Sequence, residues 1–266
     1  MYQKMKIYLG FDDSGRGPVI GPMIIGGVAV NEEQNSFLKK IGVKDSKLLS
    51  PNTRERLAKQ IKEHCLAYTL VKTYPEEIDS REKMKINLNK LEAIKFAKAI
   101  TQLWRKLCFQ AKESIEESPM FVFIVDCPSN NIPKWRALLE SYLPDELRDL
   151  IKQRKIALLV KHKAERHTSV AAASILAKEE REYEITKVKA LIDYDFGSGY
   201  PSDPRTRYFL EKIYPSPKLK ALDEKLKFVR KSWATYKKQS KQKQSKEQNQ
   251  GLEQSEQSKQ KKLTDF

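Results

Sequence analysis

Lys6-Ile7-Tyr8-Leu9-Gly10-Phe11-Asp12-Asp13-Ser14-Gly15-Arg16-Gly17-Pro18 joins an apolar run to two acids and then to a glycine-rich turn. Residues 6–11 are a short, mostly apolar run of the kind that forms a buried strand. A carboxylate at the end of such a strand must be hydrated or paired, because burying its charge is costly. The same pattern recurs twice. Asp126 follows Phe121-Val122-Phe123-Ile124-Val125, and Glu165 follows Ala157-Leu158-Leu159-Val160-Lys161-His162-Lys163-Ala164. Carboxylates gathered from separate strands repel one another, and a divalent cation relieves that repulsion. Mg²⁺ suits a site made of oxygen donors alone. Two such ions roughly 4 Å apart would bridge Asp12, Asp13, Asp126, Glu165 and a scissile phosphate. Taken singly, each acid is better explained as a strand cap or as the partner of one of the 51 Lys and Arg residues.

The turn after the first pair carries its own chemistry. Gly15 and Gly17 let backbone approach a ligand with no Cβ in the way. Their amides suit a 2′-hydroxyl, the group that separates RNA from DNA, and Arg16 suits a phosphate. A tight strand-to-strand turn needs the same glycines.

Residues 23–30 read as a second strand, hairpin-like against residues 6–11. A helix is expected over 32–40. Ser50 before Pro51 has the form of an N-cap with proline at the first helical position, which starts a helix over 51–64. A strand follows at 66–73. Apolar residues at helical spacing mark a long amphipathic helix over 87–113. Residues 120–125 and 156–160 are short apolar runs expected to be strands, with helical sequence over 132–153 broken at Pro144. Residues 169–192 are helical, with Ala171-Ala172-Ala173-Ser174 allowing close packing. Residues 193–204 form a Gly- and Pro-rich loop, and helical signals resume over 205–213 and near 221–236. Strands alternating with helices indicate a layered α/β domain.

Composition narrows the function. The 266 residues carry a formal charge of +16. The tail from Lys237 holds 8 Lys against 4 acids, so +4 belongs to it and +12 to the rest. That excess suits a phosphate-rich partner, though a lysine-rich surface adapted to heat or salt carries the same signature. The three cysteines, Cys65, Cys108 and Cys127, form neither a disulfide framework nor a zinc motif. No stretch is apolar for long enough to cross a bilayer, and the N-terminus lacks a signal-peptide core. A cytoplasmic protein with no membrane partner is expected. From Lys237 onward Lys, Gln, Ser and Glu dominate, so the tail is expected to be disordered.

Five segments read together carry a resemblance: Gly10-Phe11-Asp12-Asp13-Ser14-Gly15-Arg16-Gly17-Pro18-Val19-Ile20-Gly21-Pro22-Met23, Val43-Lys44-Asp45-Ser46-Lys47-Leu48-Leu49-Ser50, Phe123-Ile124-Val125-Asp126-Cys127-Pro128, Ala171 through Glu182, and Asp195 through Arg207. In this order they resemble type 2 ribonuclease H, the ribonuclease HII family in its archaeal and eukaryotic-like form, over residues 6–236. The resemblance implies a ribonuclease H-like fold, a mixed central sheet flanked by helices, with a C-terminal helical extension. It divides the chain into a catalytic domain (1–192), a substrate-binding loop and helical extension (193–236), and a basic tail (237–266). It implies Mg²⁺- or Mn²⁺-dependent cleavage of RNA in RNA–DNA hybrids and of single ribonucleotides embedded in duplex DNA. The cut falls 5′ of a ribonucleotide and leaves 3′-hydroxyl and 5′-phosphate ends, a first step of ribonucleotide excision. The family's four acids fall on Asp12, Asp13, Asp126 and Glu165, with two ions per site.

Three residues depart from the family pattern. Asp13 stands where most relatives have Glu, Glu165 where they have Asp, and Ser14 where Ala is common. Glu165 also lies one residue nearer to Ser174 than the family spacing. Two alternatives remain: a hybrid-binding protein with little or no catalysis, and a ribonuclease HIII-like enzyme that cuts hybrids only. Tyr200 falls on the family's junction-sensing tyrosine, its ring against the deoxyribose 3′ of the ribonucleotide. A core tyrosine with a satisfied hydroxyl is the plainer alternative. Lys47, Lys178 and Arg181 are candidate phosphate contacts, with Ser46 and Thr168 as further groove residues. His162 and His167 lie near Glu165 and read more simply as surface or core histidines.

The chain ends in Gln260-Lys261-Lys262-Leu263-Thr264-Asp265-Phe266. Gln260, Leu263 and Phe266 keep the spacing of sliding-clamp-binding peptides, one helical turn setting Leu263 and Phe266 on one side. The basic tail would then be a tether. A single chain acting as a monomer is expected.

Overall fold

The computed structural model describes residues 5–111 and 119–238. Its centre is a five-stranded sheet: β1 (Lys6–Ser14), β2 (Met23–Asn31), β3 (Ala67–Thr73), β4 (Met120–Asp126) and β5 (Ile156–Lys161), in the spatial order β3-β2-β1-β4-β5. β1 is antiparallel to β2, and β2 to β3, while β1–β4 and β4–β5 are parallel. The sheet is thus mixed, as expected. β1 runs further than residues 6–11: Asp12, Asp13 and Ser14 continue the ladder opposite Gly26, Ile25 and Ile24. The two acids therefore belong to the central strand itself.

Helices cover both faces. α1 (Glu32–Lys40) begins with a capping box in which Asn31 and Gln34 exchange hydrogen bonds. α2 (Pro51–His64) starts at the Ser50–Pro51 signal, Ser50 accepting from the Thr53 amide. α3 (Pro75–Lys83), absent from the sequence reading, buries only Pro75 and Ile78, too few for periodicity to register. α4 (Leu88–Ala111) lies on one face with α5 (Ile132–Ser141) and α6 (Asp145–Lys152), which are separated at Pro144. There Phe96, Ile100, Leu103 and Trp104 pack on Leu9, Phe11, Phe123 and Val125.

The other face carries α7 (Thr168–Ile192), flanked by α1 and α2, over Val28 and Val30. α7 crosses β1 and β2 very closely. A Cβ at Gly10 would lie 2.2 Å from the Ser169 carbonyl carbon, and one at Gly26 2.4 Å from the Ala173 oxygen. The small residues Ser169, Ala171, Ala172, Ala173, Ser174 and Ala177, all buried, make that approach possible.

The last segment departs from expectation. α8 (Pro204–Tyr208) passes into a π-helical stretch over Phe209–Ile213, and α9 spans Pro217–Leu226 rather than a helix near 221–236. Ser216–Pro217 repeats the Ser–Pro start, with Ser216 accepting from the Leu219 amide. The buried Asp223 ends the helix by taking the amides of Phe228 (2.9 Å) and Val229 (3.0 Å) on one oxygen and the Tyr214 hydroxyl (2.7 Å) on the other. Residues 228–230 are then extended and run beside residues 19–21. Gly21 N–H donates to the Phe228 carbonyl and Arg230 N–H to the Val19 carbonyl, both at 2.8 Å. Phe196, Phe209, Tyr214 and Phe228 form a separate apolar cluster with Val19, Ile20 and Ile185.

Candidate functional site

The parallel pairing of β1 and β4 brings two acid-bearing strands side by side, and their ends open into a cleft of about 240 Å³. Asp12, Asp13, Asp126 and Glu165 all line it. Asp126 is the last residue of β4, and its Oδ1 accepts the Ala164 N–H at 2.8 Å. Glu165 is not at a strand end. It sits in a 3₁₀ turn, Ala164–Arg166, entered through the left-handed Lys163. That turn couples the fourth acid to the third through the Ala164 amide.

Electrostatics records how closely the acids are set. Asp12 is held well above the usual carboxylate range by burial, then by the charges of Asp13 and Asp126, against the Ser174 hydroxyl. Burial also pushes Asp13 up to about 6, with Asp126 adding to the rise and Arg16 and Lys47 opposing it. Asp126 is raised by burial and by Glu165, against its bond to the Ala164 amide. These are shifts of like charges sharing a desolvated space. Among the described residues no three carboxylates, imidazoles or thiols already converge at ligating distance. The acids line the cleft rather than closing on one point. The donor set nonetheless fits a hard divalent cation: the carboxylates of Asp12, Asp13, Asp45, Asp126 and Glu165 and the Ser14, Ser46 and Ser174 hydroxyls line the cleft, with no thiol or imidazole among its lining residues.

The glycine loop forms one wall, with Ser14, Gly15, Arg16 and Gly17 all lining the cleft. Gly15 has φ +86, a conformation that L-residues rarely adopt. Behind the loop stands a feature the sequence reading missed. The wholly buried Arg230 donates to the carbonyls of Gly15 (2.6 Å), Arg16 (2.9 Å) and Gly21 (2.9 Å), and Trp233 Nε1 donates to that of Gly17 (3.0 Å). Trp233 in turn packs on the Arg230 guanidinium, 4.8 Å from the ring centre. Asp79 fastens this segment by accepting from the Lys231 amide and from the Ser232 amide and hydroxyl. With its carbonyls turned inward to these donors, the loop can present its amides to the cleft. The available signal was Phe228-Val229-Arg230, a cation directly after an apolar pair.

The candidate phosphate contacts separate into two groups. Lys47 and Lys178 line the cleft. Burial lowers the Lys178 ammonium, and the nearby Arg54 and Lys47 charges add to this. Arg181 does not face the cleft. It is 2% exposed, donates to the Ser198 carbonyl at 2.8 Å and lies under the Tyr200 ring, 5.0 Å from its centre. Burial among protein groups corrects its reading as a phosphate contact: it supports Tyr200. Tyr200 itself is 37% exposed at the mouth of the cleft, next to Gly17. A buried core tyrosine is thus the wrong description.

Arg16, expected to face a phosphate, turns its guanidinium to protein. Nη1 donates to the Pro128 carbonyl (3.0 Å), Nη2 to Asn89 Oδ1 (2.7 Å), and Nε stands 2.8 Å from Glu92 Oε1. Glu92, another residue missed from sequence, is wholly buried on α4. Burial pushes its carboxyl up to about 8, with Asp13 adding and Arg16 opposing.

Ser46 bonds to Ser174 at 3.0 Å in the floor of the cleft, and Asp45 lines it beside them. Thr168 opens α7 and does not line the cleft. His162 Nδ1 meets the Cys127 carbonyl at 3.1 Å, and His167 Nε2 lies 3.3 Å from Lys161 Nζ. Gln260, Leu263 and Phe266 lie outside the described residues. No described helix is long and apolar enough to cross a membrane.

The family model for ribonuclease HII matches residues 9–236. A ribonuclease HII of Methanothermobacter thermautotrophicus is 39% identical over 238 residues, which are 88% of this chain and 99% of that relative. The crystal structure of ribonuclease H2 from Pyrococcus horikoshii OT3 matches with a TM-score of 0.69 at 34% identity, covering 89% of this chain and 98% of that one. A ribonuclease HII solved in complex with PCNA, from Archaeoglobus fulgidus, matches with a TM-score of 0.60 at 35% identity, over 77% of this chain and 85% of that one. Carrying the ribonuclease H-like fold and matched from β1 to Trp233 and beyond, the chain belongs to the ribonuclease HII family, divalent-metal-dependent hydrolases that cut the RNA strand of RNA–DNA hybrids internally.

Proposed function

We propose that this chain also cuts duplex DNA at a single embedded ribonucleotide, on its 5′ side, leaving 3′-hydroxyl and 5′-phosphate ends. The observation that carries this reading is the shared cleft, where four acids, the glycine loop and Tyr200 meet. Asp12, Asp13, Asp126 and Glu165 would hold two divalent ions, Mg²⁺ or Mn²⁺. When bound, such ions neutralise charge at the scissile phosphate and make water a competent nucleophile near neutral pH. The chain's own residues supply the rest. The amides of Gly15, Arg16 and Gly17, fixed from behind by Arg230 and Trp233, read the 2′-hydroxyl. Tyr200 lays its ring on the sugar that follows, held from beneath by Arg181. Lys47 and Lys178 meet the phosphate backbone as point charges. Residues 193–236 act as the substrate-binding extension of the catalytic domain, 1–192, and the chain works as a monomer.

The test is a labelled duplex carrying one ribonucleotide, assayed with Mg²⁺ and with Mn²⁺ beside an RNA–DNA hybrid. A single cut 5′ of the ribonucleotide is expected. Cleavage of the hybrid alone would replace this reading with hybrid-only specificity, and retained binding without cleavage of either would make the chain a hybrid-binding protein.

The tail extends the proposal. Gln260, Leu263 and Phe266 would engage a sliding clamp, as the archaeal relative solved with PCNA does by some surface of its own. Deleting residues 260–266 should abolish clamp binding and leave cleavage of free duplex unchanged. Clamp binding that survives the deletion would remove the tail from the account.

A further inference from the structure

Arg16 belongs to the loop that follows Asp12 and Asp13, yet every guanidinium nitrogen faces a protein partner from elsewhere in the chain. Asn89 and Glu92 are one helical turn apart on α4, and Pro128 lies two residues beyond Asp126. The side chain therefore spans from the acids of β1 to the chain just past the acid of β4. Glu92 is an unusual anchor. It lies on the inward stripe of α4 with Leu88, Phe96, Ala99 and Leu103, where an apolar residue is ordinary. Among the described residues neither of its oxygens accepts a hydrogen bond, and the Arg16 Nε–H does not point along the 2.8 Å contact. A wholly buried carboxylate with so little support is costly to keep. Among the described residues its single ion pair is with the arginine of the loop.

We propose that Glu92 and Asn89 make Arg16 a positioning residue, a bracket that fixes the β1 acids and the glycine loop against the end of β4. This replaces the phosphate-gripping role of Arg16. The bracket adds nothing to substrate affinity. It holds Asp12 and Asp13 at the separation from Asp126 that catalysis needs, where small displacements cost large rate factors. It rests on the proposed role of the four acids and deepens it.

The test uses the full chain and a double-mutant cycle with Glu92→Gln, Arg16→Met and the pair, assayed on an RNA–DNA hybrid with saturating Mn²⁺. Glu92→Gln keeps the volume and removes the ionisable carboxyl, and the assay is run at a pH of about 9, above the value of about 8 to which burial pushes that group. Each single change is expected to lower kcat by about tenfold with KM within about twofold, and the double variant to be no slower than Arg16→Met alone. Asn89→Ala, which leaves no charge buried, should lower kcat in the same direction and by less. Losses that multiply in the double variant, a change confined to KM, or Glu92→Gln at wild-type activity would overturn the bracket. If Glu92→Gln does not fold, the Asn89→Ala and Arg16→Met pair decides by the same criterion. Asp126→Asn run in parallel separates the failures. Full activity in that variant would sink the role of the acids, whereas its inactivity with multiplying losses would sink the bracket alone.

Discussion

Asp126 shows at the scale of one residue how stability and chemistry oppose each other here. One oxygen is committed to the Ala164 amide, while burial and Glu165 disfavour its charge. Asp126→Asn should therefore lower cleavage by about 10³-fold or more, while the metal-free Tm stays level or rises. Equal activity would remove Asp126 from the site. Asp13 gives a pH dependence whose sign is fixed. Its folded value of about 6 lies above the ordinary 3.8. The metal-free fold thus has its full share of stability from this group below 3.8 and loses it as pH rises through about 6. A divalent ion that takes the carboxylate reverses that loss, so added Mn²⁺ should raise Tm more at a pH of about 8 than at about 5. An equal rise at both would contradict the assignment. Asp12, Asp13 and Asp126 stood out because a carboxylate directly after an apolar run is costly to bury, although any one of them alone reads as a strand cap and only the five segments together single them out. Glu92 did not, since its neighbours Leu91 and Ala93 make it look like one polar position in a helix. Only the i, i+4 spacing to Leu88 and Phe96 places it inward.

Among elements, β1 and the segment over 228–233 do most to shape the site. Arg230 satisfies three loop carbonyls from inside the protein. Arg230→Met leaves them unpaired, which should cost about 3 kcal/mol, about 10 °C in Tm for a domain of this size. Calorimetry checks this, and an unchanged Tm would mean that the loop holds itself. The crossing of α7 over β1 is equally specific. Gly10→Ala drives a methyl group into the Ser169 backbone and should cost about 3 kcal/mol by overpacking, again read as a fall in Tm. The alternation of apolar runs and helical stripes made most of these elements readable, down to the Ser50–Pro51 start. The C-terminal part was read less well. Residues 227–233 leave the helix because the Asp223 carboxylate takes the amides of Phe228 and Val229, a tertiary contact that local propensity does not encode.

On the scale of the molecule, the mixed sheet order β3-β2-β1-β4-β5 sets the two central strands side by side and points their acids into one cleft. Residues 228–233 then run back to brace that cleft from behind. The excess of positive charge, +16 in all, suits a duplex lying across its mouth. Affinity for a hybrid should accordingly fall as salt rises, with a log–log slope of about −0.9 for each phosphate contacted on a B-like duplex. A slope near zero in a binding titration would leave the charge unexplained. This large-scale arrangement became legible only when five separated segments were read together. No single one requires the others to be its neighbours.

In the proposed mechanism Asp12, Asp13, Asp126 and Glu165 hold divalent ions in a common pocket. Crystals grown with Mn²⁺ and measured at its absorption edge address it directly. Anomalous peaks within coordinating distance of the Asp12, Asp13, Asp126 and Glu165 carboxylates are predicted. Peaks at other sites alone, in crystals of an active enzyme, would contradict it.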